Sequence, residues 1–357
     1  MDIIIDIIVF LLGATLVAGT LLSAVRTFVL PRGANTLISR WVFLAIRVLF
    51  WLRLRFARSY AVRDRIMALY APLGLMALPP VWLLLVLFGY SAMFLAAGSP
   101  SLQDAFSLSG SSLFTLGYVP VAGLPQAILS FTEAAIGLVL VALFIAYLPT
   151  MYGAFARRER EVAMLEVRAG SPPSAVEMIE RYHRIHGLSE LHQEWQTWEE
   201  WFAEVEESHT SLDALAFFRS PRPERSWITA AGAVLDAAAL SRSVIDMPRD
   251  AQADLCLRAG YIALRQIADY FRLPYPADPH YPQVDISISR QEFDAACDDL
   301  GKQGVPIKAD RDQAWQDFAG WRVNYDATLV GLAGLVMAPE APWSSDRHQS
   351  SRPWWAK

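Results

Sequence analysis

The residues most able to do chemistry lie in an apolar stretch, residues 100–124, and that chemistry would be the binding of a cation. Ser101 and Asp104 have the S-x-x-D spacing of a capping box, which predicts a short helix that ends near residue 113. This helix would carry four serines into the apolar region: Ser107, Ser109, Ser111 and Ser112. Because the C-terminal end of a helix carries partial negative charge, a helix that ends inside a membrane favours a cation there.

Three apolar stretches are long enough to cross a bilayer: residues 7–25, 71–98 and 126–154. The first follows only Asp2 and Asp6, is too long for a signal-peptide core and lacks a basic start, so we expect a retained anchor helix. Residues 100–124 are too few and too polar to span. Because a broken helix at membrane depth must be buried in protein or line a water-filled cavity, this segment is either a pore loop or a serine-rich loop outside the membrane.

The placement of arginines predicts the orientation of the spans. Residues 1–155 contain nine basic residues, all between the first two spans: Arg26, Arg32, Arg40, Arg47, Arg53, Arg55, Arg58, Arg63 and Arg65. Three more arginines follow the third span, at residues 157, 158 and 160. Since positive residues stay cytoplasmic, we expect a multi-pass protein of the cell (inner) membrane with its N-terminus outside and its C-terminal domain in the cytoplasm.

Residues 31–70 form a basic segment between the first two spans. On a helical wheel five arginines fall within about 80° of one another: Arg40, Arg47, Arg55, Arg58 and Arg65. Such a stripe on an apolar helix predicts contact with anionic lipid at the cytoplasmic surface through four of them, Arg40, Arg47, Arg55 and Arg58. The alternative is a helix that packs on the membrane bundle while its arginines snorkel to the interface.

Residues 115–120 read T-L-G-Y-V-P and resemble the T-V-G-Y-G-D selectivity filter of the potassium-channel superfamily. The flanks are similar too, with an outer helix that contains Trp82, a short D-A-F-S-L pore helix and an inner helix that contains Gly137. The resemblance implies a pore module over residues 71–156 and a homotetramer that binds K⁺ without a further cofactor, its backbone carbonyls replacing the water shell of the ion. It implies that Thr115 adds its hydroxyl and that four residues supply carbonyls: Thr115, Leu116, Gly117 and Tyr118.

Two positions depart from the family pattern. Val119 replaces the second glycine, and Pro120 replaces the aspartate and also removes an N–H. Ser111 occupies the pore-helix position of the usual partner, and a β-branched residue is an outlier at positive φ, so we expect a changed outer filter. The segment also resembles the T-I-G-E-T-P filter of cyclic-nucleotide-gated channels, which discriminate little among monovalent cations. The resemblance therefore implies conduction of K⁺ and also of Na⁺, with a weakened preference for K⁺.

Glu133 is the only charged residue in the third span, where a carboxylate is costly and therefore indicates a function. We expect Glu133 to bond the pore-helix serines or the Tyr118 hydroxyl and, together with Ser111, to support the filter in place of the missing acid. The alternative is a glutamate with no special role. We expect Gly137 to be a gating hinge and Pro149 a kink near the cytoplasmic mouth, unless each serves helix packing.

Together these features predict an all-α membrane protein in which an anchor helix over residues 1–30, the basic segment and the pore module precede a cytoplasmic helical domain over residues 157–340. In this domain we expect at most a short strand at 284–288 and helices at residues 157–169, 173–185, 188–207, 227–243, 250–270, 290–300 and 313–335. We expect residues 341–357 to form a disordered tail after the domain. Three tryptophans share one helix face and indicate core packing: Trp195, Trp198 and Trp201. Three histidines lack the further ligands of a zinc site and are expected at the surface: His183, His186 and His192.

Composition argues against several classes of protein. The chain is 54% hydrophobic, but residues 156–357 carry 22 basic and 31 acidic residues, which argues against nucleic-acid binding. Only two cysteines, Cys256 and Cys297, are present, so a disulfide-dense scaffold is excluded. No histidine precedes residue 183, so an intramembrane serine protease would lack its base, and we predict no enzyme. Two functions remain: a tetrameric cation channel gated through the helical domain, or a non-conducting, membrane-anchored scaffold or sensor with a degenerate pore.

Overall fold

The computed structural model describes residues 3–30, 36–57 and 59–347. In these residues the regular secondary structure consists of helices, with no β-strand, which confirms the all-α class. The α-helices in chain order are α1 Ile3–Phe28, α2 Leu37–Leu54, α3 Tyr60–Met67, α4 Tyr70–Ala96, α5 Leu102–Leu113, α6 Gly123–Ala169, α7 Ala175–Arg184, α8 Leu191–Ser211, α9 Trp227–Ser243, α10 Ala251–Tyr270, α11 Arg290–Lys302, α12 Arg311–Arg322 and α13 Asp326–Leu335. Short 3₁₀ helices lie at Leu188–Glu190, Asp213–Phe217 and Ser345–Arg347.

The chain forms two compact units. Unit 1 contains the described parts of Met1–Arg58 and Ile66–Gly153, and unit 2 contains Ser59–Arg65 and the described part of Ala154–Lys357. The long helix α6 begins in unit 1 and ends in unit 2. The helix expected at residues 157–169 is therefore the continuation of the third span, and the 47 residues of α6 extend over about 70 Å.

Within the described part of the chain, three helical stretches are long and apolar enough to cross a membrane, as the sequence predicts: Ile3–Phe28, Tyr60–Ala96 and Gly123–Ala169. Their most apolar windows have mean hydropathies of 2.4, 2.1 and 2.4. The second stretch contains α3 and α4, and the prolines Pro79 and Pro80 lie inside α4.

Two glycines allow α1 and α4 to pack closely in unit 1. A Cβ on Gly13 would lie 2.4 Å from the Gly89 carbonyl oxygen, and a Cβ on Gly89 would lie 2.6 Å from Cγ2 of Val17. Small residues at a membrane-helix interface let the two backbones approach in this way. Helix α1 is thus packed directly against α4.

The basic segment is not one helix, so the single stripe over residues 40–65 is wrong. Helix α2 ends at Leu54, and a new helix, α3, starts at Tyr60. The hydroxyl of the preceding residue, Ser59, accepts the Val62 N–H at the start of α3 (3.4 Å). Arg40 and Arg47 therefore lie on α2, Arg55 follows its end and Arg65 lies on α3, whereas Arg32 and Arg58 lie outside the described residues.

Helix α2 packs against α4 through aromatic side chains, as in the bundle alternative. The rings of Phe43 and Phe50 lie 6.1 and 5.7 Å from the ring of Tyr70. Gly74 leaves the room for this contact, because a Cβ there would lie 2.3 Å from Cε1 of Phe43. The aromatic contacts identify the face of α2 that turns toward α4.

The helices of unit 2 surround one apolar core. It includes the three tryptophans of α8, each at most 2% exposed, so the prediction of core packing is confirmed: Trp195, Trp198 and Trp201. Among the described residues no group of three or more His, Cys, Asp or Glu side chains could hold a metal ion. His186 and His192 are exposed, and the Nδ1 of His192 lies 2.9 Å from Asp250, whereas His183 is half-buried.

The sequence allows at most a short strand at residues 284–288, and none is present there, where the N–H and hydroxyl of Ser287 bond the Asp326 carboxylate (3.0 and 2.7 Å). Two other expectations for the C-terminal part are corrected. The helix expected at 313–335 is broken between α12 and α13, where the Asn324 side chain donates to the carbonyls of Gly320 and Trp321 (2.9 and 3.3 Å). In the expected tail, residues 341–347 are structured, with Arg347 paired to Glu292 (2.5 Å), and residues 348–357 lie outside the described part.

A buried arginine joins α9, α12 and α13 in unit 2. Arg322 donates from Nη1 to both oxygens of Asp236 (2.6 and 2.7 Å) and from Nε to Asp326 (2.7 Å). Burial alone would lower the pKa of Arg322, but the two carboxylates outweigh it and raise that pKa. The guanidinium therefore stays charged and holds the three helices together.

Candidate functional site

Helix α5 is a short helix between two long apolar ones. The Ser101 hydroxyl accepts the Asp104 N–H (3.1 Å) at the start of α5 and donates to the Asp104 carboxylate (2.7 Å). The helix ends at Leu113 after 12 residues, or about 18 Å, which is too short to cross a bilayer. The cap fixes where α5 starts and thereby the position of the residues that follow its end.

Ser111 binds the backbone of the segment that follows α5. Its carbonyl accepts the N–H groups of Leu116 (2.8 Å) and Gly117 (3.4 Å). Its hydroxyl accepts the N–H groups of Tyr118 (3.1 Å) and Val119 (3.3 Å). Four consecutive peptide N–H groups therefore converge on one residue of α5.

This convergence determines where the carbonyls point. A trans peptide is planar, and its C=O and N–H point in opposite directions. The four peptides whose N–H groups bind Ser111 carry the carbonyls of residues 115, 116, 117 and 118, so these carbonyls point away from Ser111. Among the described residues no N–H or O–H donates to them. Residues 115–118 thus present four adjacent oxygens without a donor, and they are the four carbonyls that the family resemblance names.

The backbone of this segment is left-handed at Thr115 and Gly117, with φ of 54° and 67°. Gly117 adopts this conformation without steric cost, whereas Thr115 is β-branched and strained there. Its hydroxyl donates to the Phe114 carbonyl (2.8 Å). Val119 is not among the residues with positive φ, as expected of a β-branched residue, whereas Thr115, which is also β-branched, adopts the left-handed conformation.

Glu133 lies against α5, as the sequence suggests. Its side chain is fully buried, and its Oε1 is 2.5 Å from the Ser109 hydroxyl, which also lies 2.9 Å from the Leu87 carbonyl. The carboxyl group therefore joins α6 to α5, and Ser109 joins α5 to α4. The Tyr118 hydroxyl makes no bond to Glu133, because it donates to the Ser107 carbonyl (3.4 Å). The other carboxyl oxygen, Oε2, has no partner among the described residues.

Two further polar side chains that sequence reasoning did not identify, Ser130 and Gln126, hold this region. The Ser130 hydroxyl lies 2.8 Å from that of Ser112 and connects α6 to α5. The Gln126 side chain accepts the Ala122 N–H (3.0 Å) and donates to the Ser99 hydroxyl (3.4 Å), so it fixes the start of α6. The only signal for Gln126 was its position as a polar residue at the start of an apolar stretch.

Gly137 is a packing residue in this structure. A Cβ there would lie 2.5 Å from the Leu113 carbonyl oxygen at the end of α5 and 3.1 Å from Cδ1 of the same leucine. Pro149 lies inside α6, which continues through it to Ala169. The close approach at Gly137 supports the packing alternative rather than a free hinge.

The Gly137→Ala variant should therefore lose stability through steric overlap. We expect destabilisation of unit 1 by about 1–3 kcal/mol, because the Leu113 backbone cannot move aside easily. The matched control is Gly19→Ala in α1, where a Cβ has nothing within 4 Å. Thermal unfolding of the two purified variants in detergent measures the difference. Equal melting temperatures would contradict the packing role and favour a hinge.

Comparisons with known proteins identify no relative from which a function could be inferred. No family model matches the chain, and no match was found among curated proteins or solved structures.

Proposed function

We propose that this chain is one subunit of a tetrameric, potassium-channel-like cation channel with a weakened preference for K⁺ over Na⁺. The observation that carries the proposal is the convergence of four peptide N–H groups on Ser111, which leaves four carbonyls of residues 115–118 without donors. Filters of this type bind K⁺ through rows of backbone carbonyls that replace its water shell. The C-terminal end of α5 adds partial negative charge nearby.

A homotetramer follows from the presence of one such segment per chain. Four copies around an axis would surround an ion with carbonyls on every side. In the single chain the apolar side chains of Leu116 and Tyr118 are each 64% exposed. In a tetramer, neighbouring copies would cover these two side chains.

The weakened selectivity follows from how the outer end of the segment is held. The N–H groups of Tyr118 and Val119 both bind one neutral hydroxyl, at 3.1 Å and at 3.3 Å, and the second distance is longer than an ordinary N–H···O bond. Charge-assisted bonds to a carboxylate would be about twice as strong. Pro120 has no N–H to add. A loosely held outer filter fits K⁺ less exactly and admits Na⁺ more readily.

The arginine distribution supports the orientation proposed for the channel. With positive residues on the cytoplasmic side, the N-terminus lies outside the cell (inner) membrane and unit 2 lies in the cytoplasm. Arg40 and Arg47 on α2, with Arg55 just after it, would contact anionic lipid headgroups. Because α6 is continuous from Gly123 to Ala169, movement of unit 2 could act on the pore through this helix.

The first test is cation flux through the purified protein in liposomes. We expect measurable K⁺ and Na⁺ currents in planar bilayers, with a permeability ratio near one under bi-ionic conditions. Single-channel recording gives both the conductance and the ratio. Strong K⁺ selectivity would contradict the weakened preference. The absence of current for either cation would contradict the channel and favour the non-conducting scaffold.

The Ser111→Ala variant tests the support of the carbonyl row. It removes the acceptor for two N–H groups, and each buried donor without a partner costs about 1–3 kcal/mol. We expect the single-channel current to fall by about tenfold or more. Ser111→Thr keeps the hydroxyl and should restore conduction. Ser107→Ala is the control on the same helix, and an equal loss in this control would refute a specific role for Ser111.

The Glu133 variants separate hydrogen bonding from charge. Glu133→Gln keeps a polar partner for Ser109 and should conduct within about twofold of the wild type, whereas Glu133→Ala leaves Ser109 without its α6 partner and should abolish or alter the current. Bilayer recordings of both variants provide the measurement. Unchanged currents in Glu133→Ala would count against a supporting role, and loss in Glu133→Gln would indicate that the charge itself is needed.

A further inference from the structure

The short helix α3 directly precedes α4 in sequence, but its residues 60–65 belong to unit 2. Residues 59–65 group with the C-terminal part of the chain. The only buried side chain of α3 is Asp64, a carboxylate. Apolar burial therefore contributes little to the attachment of α3, and its attachment depends on what Asp64 contacts.

Asp64 contacts Arg219, which lies 155 residues later in the chain. Arg219 donates from Nη1 to Asp64 Oδ1 (2.9 Å) and to the Tyr60 hydroxyl oxygen (3.2 Å). The side chains of Arg219 and Asp64 are only 11% and 12% exposed. An ion pair with so little exposure is screened far less than a surface pair. We call Tyr60, Asp64 and Arg219 the α3 clamp.

Arg219 also binds the end of another helix. Its Nη1 donates to the Met337 carbonyl (2.9 Å) and its Nη2 to the Val336 carbonyl (2.7 Å), just after α13 ends at Leu335. Met337 has a φ of 52°, so the chain turns sharply there. The C-terminal end of a helix carries partial negative charge and attracts a cation. The α13 end and Asp64 together determine the position of the guanidinium.

The segment that carries Arg219 is held in turn by α6. Arg158 on α6 donates to the carbonyls of Leu215 and Phe218 (both 2.8 Å), and Phe218 directly precedes Arg219. His209 lies 3.2 Å from Nη1 of Arg158, and burial together with the Arg158 charge lowers the pKa of His209 well below its usual range. The imidazole is therefore neutral and can accept from the arginine. All these contacts lie within unit 2.

We propose that the α3 clamp is a regulatory device that attaches unit 2 to the second span as well as to the third. One attachment is α6 itself, which carries Arg158. The other runs from Arg158 through residues 215–219 to Arg219, and from there through Asp64 to α3. Only residues 68 and 69 separate α3 from α4, a distance of at most about 10 Å of extended chain. A displacement of the 215–219 segment is therefore passed to the start of α4.

Hydrogen exchange on the full-length protein in lipid nanodiscs tests the clamp without any need for conduction. The variants are Arg219→Met and Asp64→Ala, which remove the ion pair from opposite sides, and the second leaves the contacts of Arg219 with α13 in place. We expect exchange in residues 59–69 to rise by about tenfold or more in both variants. The increase should extend into the first turn of α4, whereas α9 in the unit 2 core should exchange as in the wild type.

The matched control is Arg222→Met, which removes a nearby arginine whose side chain is 62% exposed and pairs with Glu166. It should exchange as the wild type does. Protected residues 59–69 in both clamp variants would overturn the proposal. An increase confined to residues 59–69, with no change in α4, would overturn the transmission to the second span.

The consequence for gating rests on the proposed channel function and has its own measurement. In proteoliposomes made from the same samples, cation flux of Arg219→Met should differ from that of the wild type and of Arg222→Met by about threefold or more. Equal flux in all three, together with faster exchange in Arg219→Met, would overturn the regulatory role. Absence of flux in the wild type would refute the channel function, while the exchange pattern would still decide whether the clamp reaches α4.

Discussion

Four N–H groups from residues 116–119 bind the carbonyl and hydroxyl of Ser111. This interaction depends on where α5 ends and on the contacts that hold α5 against α4 and α6. The chain can fold back onto Ser111 only because α5 ends at Leu113, two residues later. For α5 to hold that segment, α5 itself must be fixed. Ser109 connects it to α4 and Glu133, and Ser112 connects it to Ser130 on α6.

The sequence predicted those features that depend on local pattern. Long apolar stretches predicted the three candidate spans, and the spacing of Ser101 and Asp104 predicted the start of α5. Features that depend on distant partners were not predictable. The Asp64 carboxylate finds its arginine 155 residues away, so nothing near α3 indicated that it belongs to unit 2. Likewise, the positive φ of Thr115 was not predictable, because the residue types alone do not specify how the segment is bound to Ser111.

Backbone groups at chain turns are held by different side chains in the two units, and desolvation explains the difference. In unit 2 the guanidiniums of Arg158 and Arg219 bind carbonyls that follow helices. Neighbouring carboxylates, Glu159 and Asp64, compensate these charges. In unit 1 the neutral hydroxyl of Ser111 performs the corresponding task for N–H groups. A buried hydroxyl costs far less than a buried charge, but it also binds more weakly. The N–H groups of Tyr118 and Val119 are therefore held by a neutral acceptor.

The packing at Gly137 restricts where α6 can bend if the protein gates as we propose. Near Gly137 the backbone of α6 touches the Leu113 carbonyl, so a rotation there would collide with the end of α5. The links from Ser130 and Glu133 to α5 restrain the helix one to two turns earlier. Pro149 lies three turns beyond Gly137 and cannot donate to the carbonyl four residues before it, so the helix is weakest there. Bending at Pro149 would move the part of α6 that carries Arg158 without disturbing the residues that hold the carbonyl row.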